Sequence, residues 1–370
     1  MNYNEALNFI ISKQSLGIMP GLTRILDLLK QMGNPQNDLK IIHIAGTNGK
    51  GTVASTIANT LTEHGYKVGL FSSPWVVDYR EQIQINNEFI SESDFAEYVE
   101  KYKDNDCSEF EFLTAIMYKY FSDKKVDYAV VECGMGGLED ATNVEESNIA
   151  VITSVALDHT AFLGNTIEEI AYQKAGIIKE NGTCVLYPNP AVEHIFEKVC
   201  EEKNANLIKA EDDGFWMFNN LNVVSEVIKL VFEDVDITKA ELPARQEEIG
   251  NVMLDGGHNA DAAKYLEFRL PRYQGLYTTA VIGMMADKDI DAYLSIVAPR
   301  CKKIITTTPN NPRAISAKEL KKIAEKYCND VVAIDNPLEA VQQKGVTLVC
   351  GSFFLARDVR DYLLKSNGLS

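Results

Sequence analysis

The sequence contains no apolar run approaching the ~18 residues that suggest a membrane span. Its start, MNYNEALNFIISKQSLG, lacks a basic segment leading into a long apolar one. Neither a membrane partner nor secretion is expected, and the chain is read as cytoplasmic. Seven cysteines, an odd number, are scattered without any C-x-x-C pair, so neither a disulfide framework nor a zinc knuckle is supported. There is no Pro/Gly-rich, Gln/Asn-rich or repeated tract, which removes disordered, collagen-like and solenoid readings. Positive charge is also short. Lys and Arg number 36 against 53 Asp and Glu, a net charge of −17, which disfavours nucleic acid as a partner. Any anionic ligand must be held by a local site.

What is present is a chain of 370 residues with 46% hydrophobic content, enough for two domains at about 150 residues each. From Leu39 onward, β-branched runs alternate with helical patterns. KIIHIA, KVGLFS, VDYAVVE, IAVITSV and CVLYP read as strands, with helices near Val53 to His64, Ser93 to Lys101, Phe110 to Phe121 and Thr166 to Ile178. Thr166 and Glu169 have capping-box spacing, and EESN (145–148) reads as a turn. The composition shifts over Glu211 to Glu248, which places a domain boundary near residue 240. NVML, TTAVIGM, KKIITTT, VVAID and TLVCGS follow as further strands. The fold class is therefore α/β: a P-loop parallel-sheet ATPase domain over 1–240, then a smaller Rossmann-like domain over 241–370.

The sharpest local signal is KIIHIAGTNGKGTVASTIANTL, a strand, a glycine turn carrying Lys50, and a helix. Gly46, Gly49 and Gly51 let backbone N–H groups approach phosphate oxygens, the helix start favours negative charge, and Lys50 neutralises it. The Thr52 hydroxyl can serve Mg²⁺. Ligands in open α/β sheets collect beyond the carboxyl ends of strands. Ser72, Ser73, Glu132, Asp158 and His159 stand at such ends, and a carboxylate, an imidazole and a hydroxyl beside a triphosphate suit Mg²⁺. CGMGGLEDATN is a second glycine loop ending in Asp140, Thr142 and Asn143; it reads either as a close backbone approach to ligand or metal, or as a tight crossover turn. Composition alone makes Lys174 a snorkelling surface lysine. In the second domain, Asp255, His258 and Asn259 follow a strand just after Arg245, and could hold ribose, adenine or phosphate, although Asn259 also reads as a helix cap. Lys288 is a lone lysine beyond a strand.

Together, LGIMPGLTRILDLLKQMGNPQ, HIAGTNGKGT, LFSSPWV, FEFLTA, VDYAVVECGMGG, DATN, ITSVALDHTAFLGNTIEEIAYQKAGIIK, LDGGHN, GMMADKD and CGSFFLARDVRDYL resemble the folylpolyglutamate synthase and dihydrofolate synthase family, a branch of the Mur ligases. The resemblance implies ATP-dependent amide ligation. ATP phosphorylates a carboxylate of folate or dihydropteroate, and the amino group of L-glutamate attacks the acyl phosphate. It further implies that Gly46, Thr47, Asn48, Gly49, Lys50, Gly51 and Thr52 bind the phosphates. Ser73, Glu132, His159 and Thr52 are implied to hold Mg²⁺, and Lys174 to carry a carbamate. Arg245, Asp255 and His258 are implied to close over the nucleotide. Gln14 and the Gly17 to Arg24 stretch match the pterin-side region, although the segment reads equally as a packing helix, and a monomer is implied.

This sequence departs from the family pattern in several places. Leu138 and Glu139 stand where an Arg usually follows the glycine loop, Ala244 and Gln246 alter the linker, and Trp75 replaces a His. Several dozen residues between CVLYP and the linker are missing, leaving FNNLNVVSEVIKLV with Asn222 as the matching adenine contact. Two alternatives stand beside a folate ligase: a paralogue joining an amino acid to a non-folate carboxylic acid, and a nucleotide-binding protein without ligase activity.

Overall fold

A computed structural model describes residues 1–17, 21–144, 149–232, 236–269 and 279–369. The turn read at 145–148 and residues 18–20 of the Gly17 to Arg24 stretch lie outside them. The chain forms two compact units, Met1–Ala240 and Glu241–Ser370.

The first unit is built on eight strands: β1 (Ile41–Ala45), β2 (Val68–Phe71), β3 (Ile83–Ile85), β4 (Glu88–Phe89), β5 (Tyr128–Glu132), β6 (Ile149–Ile152), β7 (Thr183–Leu186) and β8 (Asn206–Lys209). They lie in the order β4-β3-β2-β5-β1-β6-β7-β8, with β3 and β4 antiparallel and the rest parallel. The parallel strands are apolar on both faces because helices cover both. On one face Ile42, Ile44, Val130, Val151 and Val185 pack with Val53, Ile57, Leu61, Val223 and Val227 of the Lys50–Glu63 and Trp216–Lys229 helices. On the other, Ala129 and Val131 meet Phe112, Ile116 and Phe121 of the Glu109–Lys124 helix. The predicted capping box holds, since the Glu169 N–H donates to Thr166 Oγ1 at 3.2 Å and the Thr166 N–H to Glu169 Oε2 at 3.1 Å. The β3–β4 hairpin is absent from the sequence reading; Asn86 and Asn87, both at positive φ, form the tight turn that Asn tolerates.

The second unit has six strands: β9 (Glu247–Ile249), β10 (Val252–Leu254), β11 (Thr279–Ile282), β12 (Lys303–Thr306), β13 (Val331–Ala333) and β14 (Val346–Cys350). Their order is β13-β12-β11-β14-β10-β9, with only β9 antiparallel to its neighbour.

Candidate active site

β1 sits between β5 and β6, so the chain crosses to opposite sides of it and leaves a crevice at its carboxyl end. Gly46 follows there at positive φ, and a Cβ on it would collide with the Thr153 side chain. The loop is clamped by the extension of β6. The Thr47 N–H donates to Ser154 O at 2.6 Å, its hydroxyl to Ala156 O at 3.1 Å, and the Ala156 N–H returns to Thr47 Oγ1 at 3.0 Å. Thr153 Oγ1 donates to Asn48 O at 2.8 Å. Lys50 curls back over the loop it must charge, donating to Gly46 O at 3.2 Å and Thr47 O at 3.3 Å. Thr47, Asn48, Gly49 and Lys50 are partly exposed, as is Thr52 on the first helical turn. The collar of Thr153 to Ala156 was not among the expected residues.

Glu132 ends β5 and is 2% exposed; the Ser73 N–H donates to its Oε2 at 3.1 Å, joining two of the expected metal residues. His159 is at positive φ and starts a short helix, Thr160–Leu163, with its N–H bonded to Asp158 Oδ1 at 2.8 Å. Among the described residues, no three His, Cys, Asp or Glu side chains gather as a metal-binding group. Of the expected donors, Ser73 and the Glu132 carboxylate are in contact; the others are the Thr52 hydroxyl and the His159 imidazole. That set fits Mg²⁺, which takes oxygen ligands and keeps waters and phosphate oxygens in its shell.

Lys174 is a correction. It is not a snorkelling surface residue but lies buried on the Ile167–Ala175 helix, 2% exposed. Burial, reinforced by the Lys50 cation, pushes its pKa down to about 7, against the opposing pull of Cys133, Asp158 and Asp140. Near neutral pH much of it is therefore an uncharged amine. The second glycine loop explains its seat. A Cβ on Gly137 would lie 2.8 Å from Gln173 O and 3.0 Å from Lys174 O, so at this glycine the close approach is to the lysine helix.

That loop is held from behind. Asp140 accepts from Met135 N at 2.8 Å, Thr142 N at 3.0 Å and Thr142 Oγ1 at 2.5 Å. The Thr142 hydroxyl also lies 2.8 Å from Nε2 of the fully buried His43, on β1. Asn143 donates to Leu138 O and Gly176 O. Asp140, Thr142 and Asn143 thus act as an internal brace, with His43 as a member that its alternating apolar strand concealed.

The Asn222 amide donates to Glu211 O at 3.0 Å and Asp213 Oδ2 at 2.8 Å, on the approach to its own helix. The asparagine at the phosphate loop is Asn220: a Cβ on Gly49 would stand 2.9 Å from its Oδ1.

In the second unit, Asp255 is 8% exposed and accepts from Gly257 N at 2.8 Å and Gln246 N at 3.1 Å. Burial raises its pKa against these bonds and the nearby Arg245 charge. The Arg245 guanidinium lies 4.1 Å from the Phe353 ring centroid, and the His258 ring meets the same phenyl edge-on at 6.2 Å. Asn259 caps its helix, accepting from Ala262 N at 2.8 Å. At the amino end, Gln14 is exposed and Arg24 pairs with the buried Glu111 at 3.0 Å.

Residues 44–253 match the family model described as the Mur ligase middle domain, and residues 244–353 match the Mur ligase glutamate ligase domain. A folylpolyglutamate synthase of Lacticaseibacillus casei is 30% identical over 426 aligned positions, covering 98% of this chain and 99% of the relative. The chain belongs to the folylpolyglutamate and dihydrofolate synthase family of Mur ligases. The alignment is longer than the 370 residues of this member, so the relative carries residues that it lacks; between β8 and β9 this ligase has the Trp216–Lys229 helix as its only described element. A solved Escherichia coli FolC in complex with DHPP and ADP has a TM-score of 0.88 at 26% identity, covering 99% of this chain and 98% of that one. A bifunctional folylpolyglutamate synthase/dihydrofolate synthase from Yersinia pestis, complexed with AMPPNP and a Mn ion, has a TM-score of 0.86 at 27% identity over 98% of each chain. These family members bind adenine nucleotide, one of them with a divalent metal.

Proposed function

We propose that this chain is an ATP-dependent ligase that adds L-glutamate to folate or dihydropteroate through an acyl phosphate. The carrying observation is the single ligand edge on which a collared phosphate loop with Lys50, the buried Glu132 and a buried Lys174 with a pKa of about 7 stand together. Family membership supplies the reaction class, and the match of residues 244–353 to a glutamate ligase domain supports the amino-acid substrate.

In this reading Gly46 to Thr52 bind the phosphates, and Lys50 draws charge from the phosphoryl group as it moves to the acceptor carboxylate. The glutamate amine then attacks the acyl carbon, phosphate leaves, and the amine gives up a proton. Ser73, Glu132, His159 and Thr52 would hold Mg²⁺, which when bound neutralises charge on the transferring phosphoryl group. Lys174 is suited to a carbamate, because only a neutral amine attacks CO₂ and its burial keeps it neutral. The N–C bond forms, one proton is released, and a neutral amine becomes an anion directed at metal. Arg245, Asp255 and His258 serve the nucleotide from the second unit, and Gln14 with Arg24 the pterin side. Seven buried free cysteines suit a reducing cytoplasm, and the working form is a monomer.

The test is mass spectrometry of products after incubation with Mg-ATP, L-glutamate, bicarbonate and, separately, dihydropteroate or tetrahydrofolate. A glutamyl adduct on either acceptor is expected. ATP binding without any adduct would overturn the folate assignment.

A further inference from the structure

Glu132 is the last residue of β5, yet the pairing does not end with it. The Cys133 N–H donates to Ile44 O of β1 at 2.9 Å, which carries the ladder one residue further. Successive side chains of a strand point to opposite faces, so Cys133 leaves the sheet on the face away from Glu132. There its Sγ lies 3.1 Å from Nε2 of His43, and neither residue is exposed to solvent. The same nitrogen lies 2.8 Å from Thr142 Oγ1. The Thr142 hydroxyl gives its proton to Asp140 Oδ1 at 2.5 Å, the stronger acceptor. Its oxygen therefore accepts from His43, and the imidazole proton sits on Nε2.

The second glycine loop departs at Cys133 and returns at Asp140 to Thr142. One imidazole N–H thus ties both ends of that loop to β1, and the departing end is the residue next to Glu132. His43 also lies three residues before Gly46, on the strand that runs into the phosphate loop. The carboxylate and the phosphate loop are in this way referred to the same strand. Without the link, Glu132 would stand at the fraying end of a strand that opens into glycines. We propose that His43 is a positioning residue for the divalent metal: through Cys133 it fixes the direction of the Glu132 carboxylate beside the phosphate loop. This rests on the assignment of Glu132 to Mg²⁺ above. His43 acts through the strand and not as a ligand.

The probe is Mn²⁺, whose free ion is counted by its paramagnetic resonance signal with protein in excess over ADP. His43→Leu weakens Mn²⁺ binding to the ADP complex about 10- to 100-fold, the usual effect of losing a group that orients a metal ligand. ADP measured by calorimetry in EDTA binds this variant as it binds the native chain. His43→Gln, whose amide N–H takes the place of the Nε2–H, keeps most of the Mn²⁺ affinity. Cys133→Ala removes the same link from its other side and weakens Mn²⁺ to a similar degree. Because the two residues act as one contact, the double variant is no weaker than His43→Leu alone. Native Mn²⁺ affinity in folded Cys133→Ala overturns the inference, and this variant decides the matter if His43→Leu fails to fold. An equal loss of ADP in EDTA makes His43 a packing residue of the phosphate loop and also overturns it. A native ADP complex that binds no Mn²⁺ removes the metal assignment itself, and the inference with it.

Discussion

Replacing Lys174 by Met keeps the side chain's length and removes its charge from a place that rejects charge. The native lysine is 2% exposed and titrates at about 7 rather than at the usual 10.5. A difference of that size is worth about 5 kcal/mol between the protonated and neutral forms. The folded-state pKa is depressed, so between pH 7 and 10.5 the unfolded chain binds the extra proton and stability rises with pH. Below pH 7 the native protein bears the full cost of a buried cation. From pH 7 to 9 it should gain about 2 kcal/mol that Lys174→Met does not gain. The assay is urea unfolding in CO₂-free buffer at several pH values, followed by tryptophan emission, since Trp75 and Trp216 both lie in the first unit. Taking the difference between the two proteins cancels the other groups that titrate in this range. Parallel stability curves for the two proteins from pH 7 to 9 would refute the burial argument and remove the physical ground for a carbamate.

Lys50→Ala and Glu132→Gln are each expected to abolish ADP release while the unfolding curve keeps its shape; turnover in both would sink the site assignment. Lys174→Ala should lose turnover that added short carboxylic acids partly restore, and no rescue in a folded protein would leave the carbamate unsupported. Gly46→Ala forces a Cβ into Thr153, so loss of tripolyphosphate binding is expected in calorimetry, and unchanged affinity would mean the collar yields freely. Asp140→Ala leaves the Met135 and Thr142 donors without their acceptor, costing about 1–3 kcal/mol; an unchanged urea midpoint would show that the brace carries no load.

The phosphate loop was legible because its signal is local: glycines, Lys50 and a strand-to-helix change fall within a dozen residues. β1, β2, β5, β6, β7 and β10 to β14 were legible for the same reason, their apolar runs being short and punctuated, whereas the short or polar edge strands β3, β4, β8 and β9 were not. What escaped depends on partners distant in sequence. Thr153 and Ser154 look like the end of any strand until Thr47 and Asn48 arrive beside them. Lys174 reads as a surface residue because nothing near it in sequence reveals that Lys50 and the Asp140 loop close over it. Asn220 and Asn222 are two residues apart, and helix phase alone decides which meets Gly49. His43 sits in an apolar strand whose pattern gives no sign that Thr142 waits behind it. The Asn86–Asn87 turn carried a readable signal, an Asn pair between β-prone runs.

The collar around the phosphate loop has a consequence for the birth of the protein. The clamp joins Thr47 to Ala156 and Asn48 to Ser154. At synthesis rates of about 5–20 residues per second, roughly 5–20 s separate the emergence of the loop from that of its clamp. During that interval the nascent chain displays the complete glycine motif in a form that cannot grip a nucleotide. Nucleotide enters the folding history only after β6 has docked, and from then on it favours the folded form by mass action.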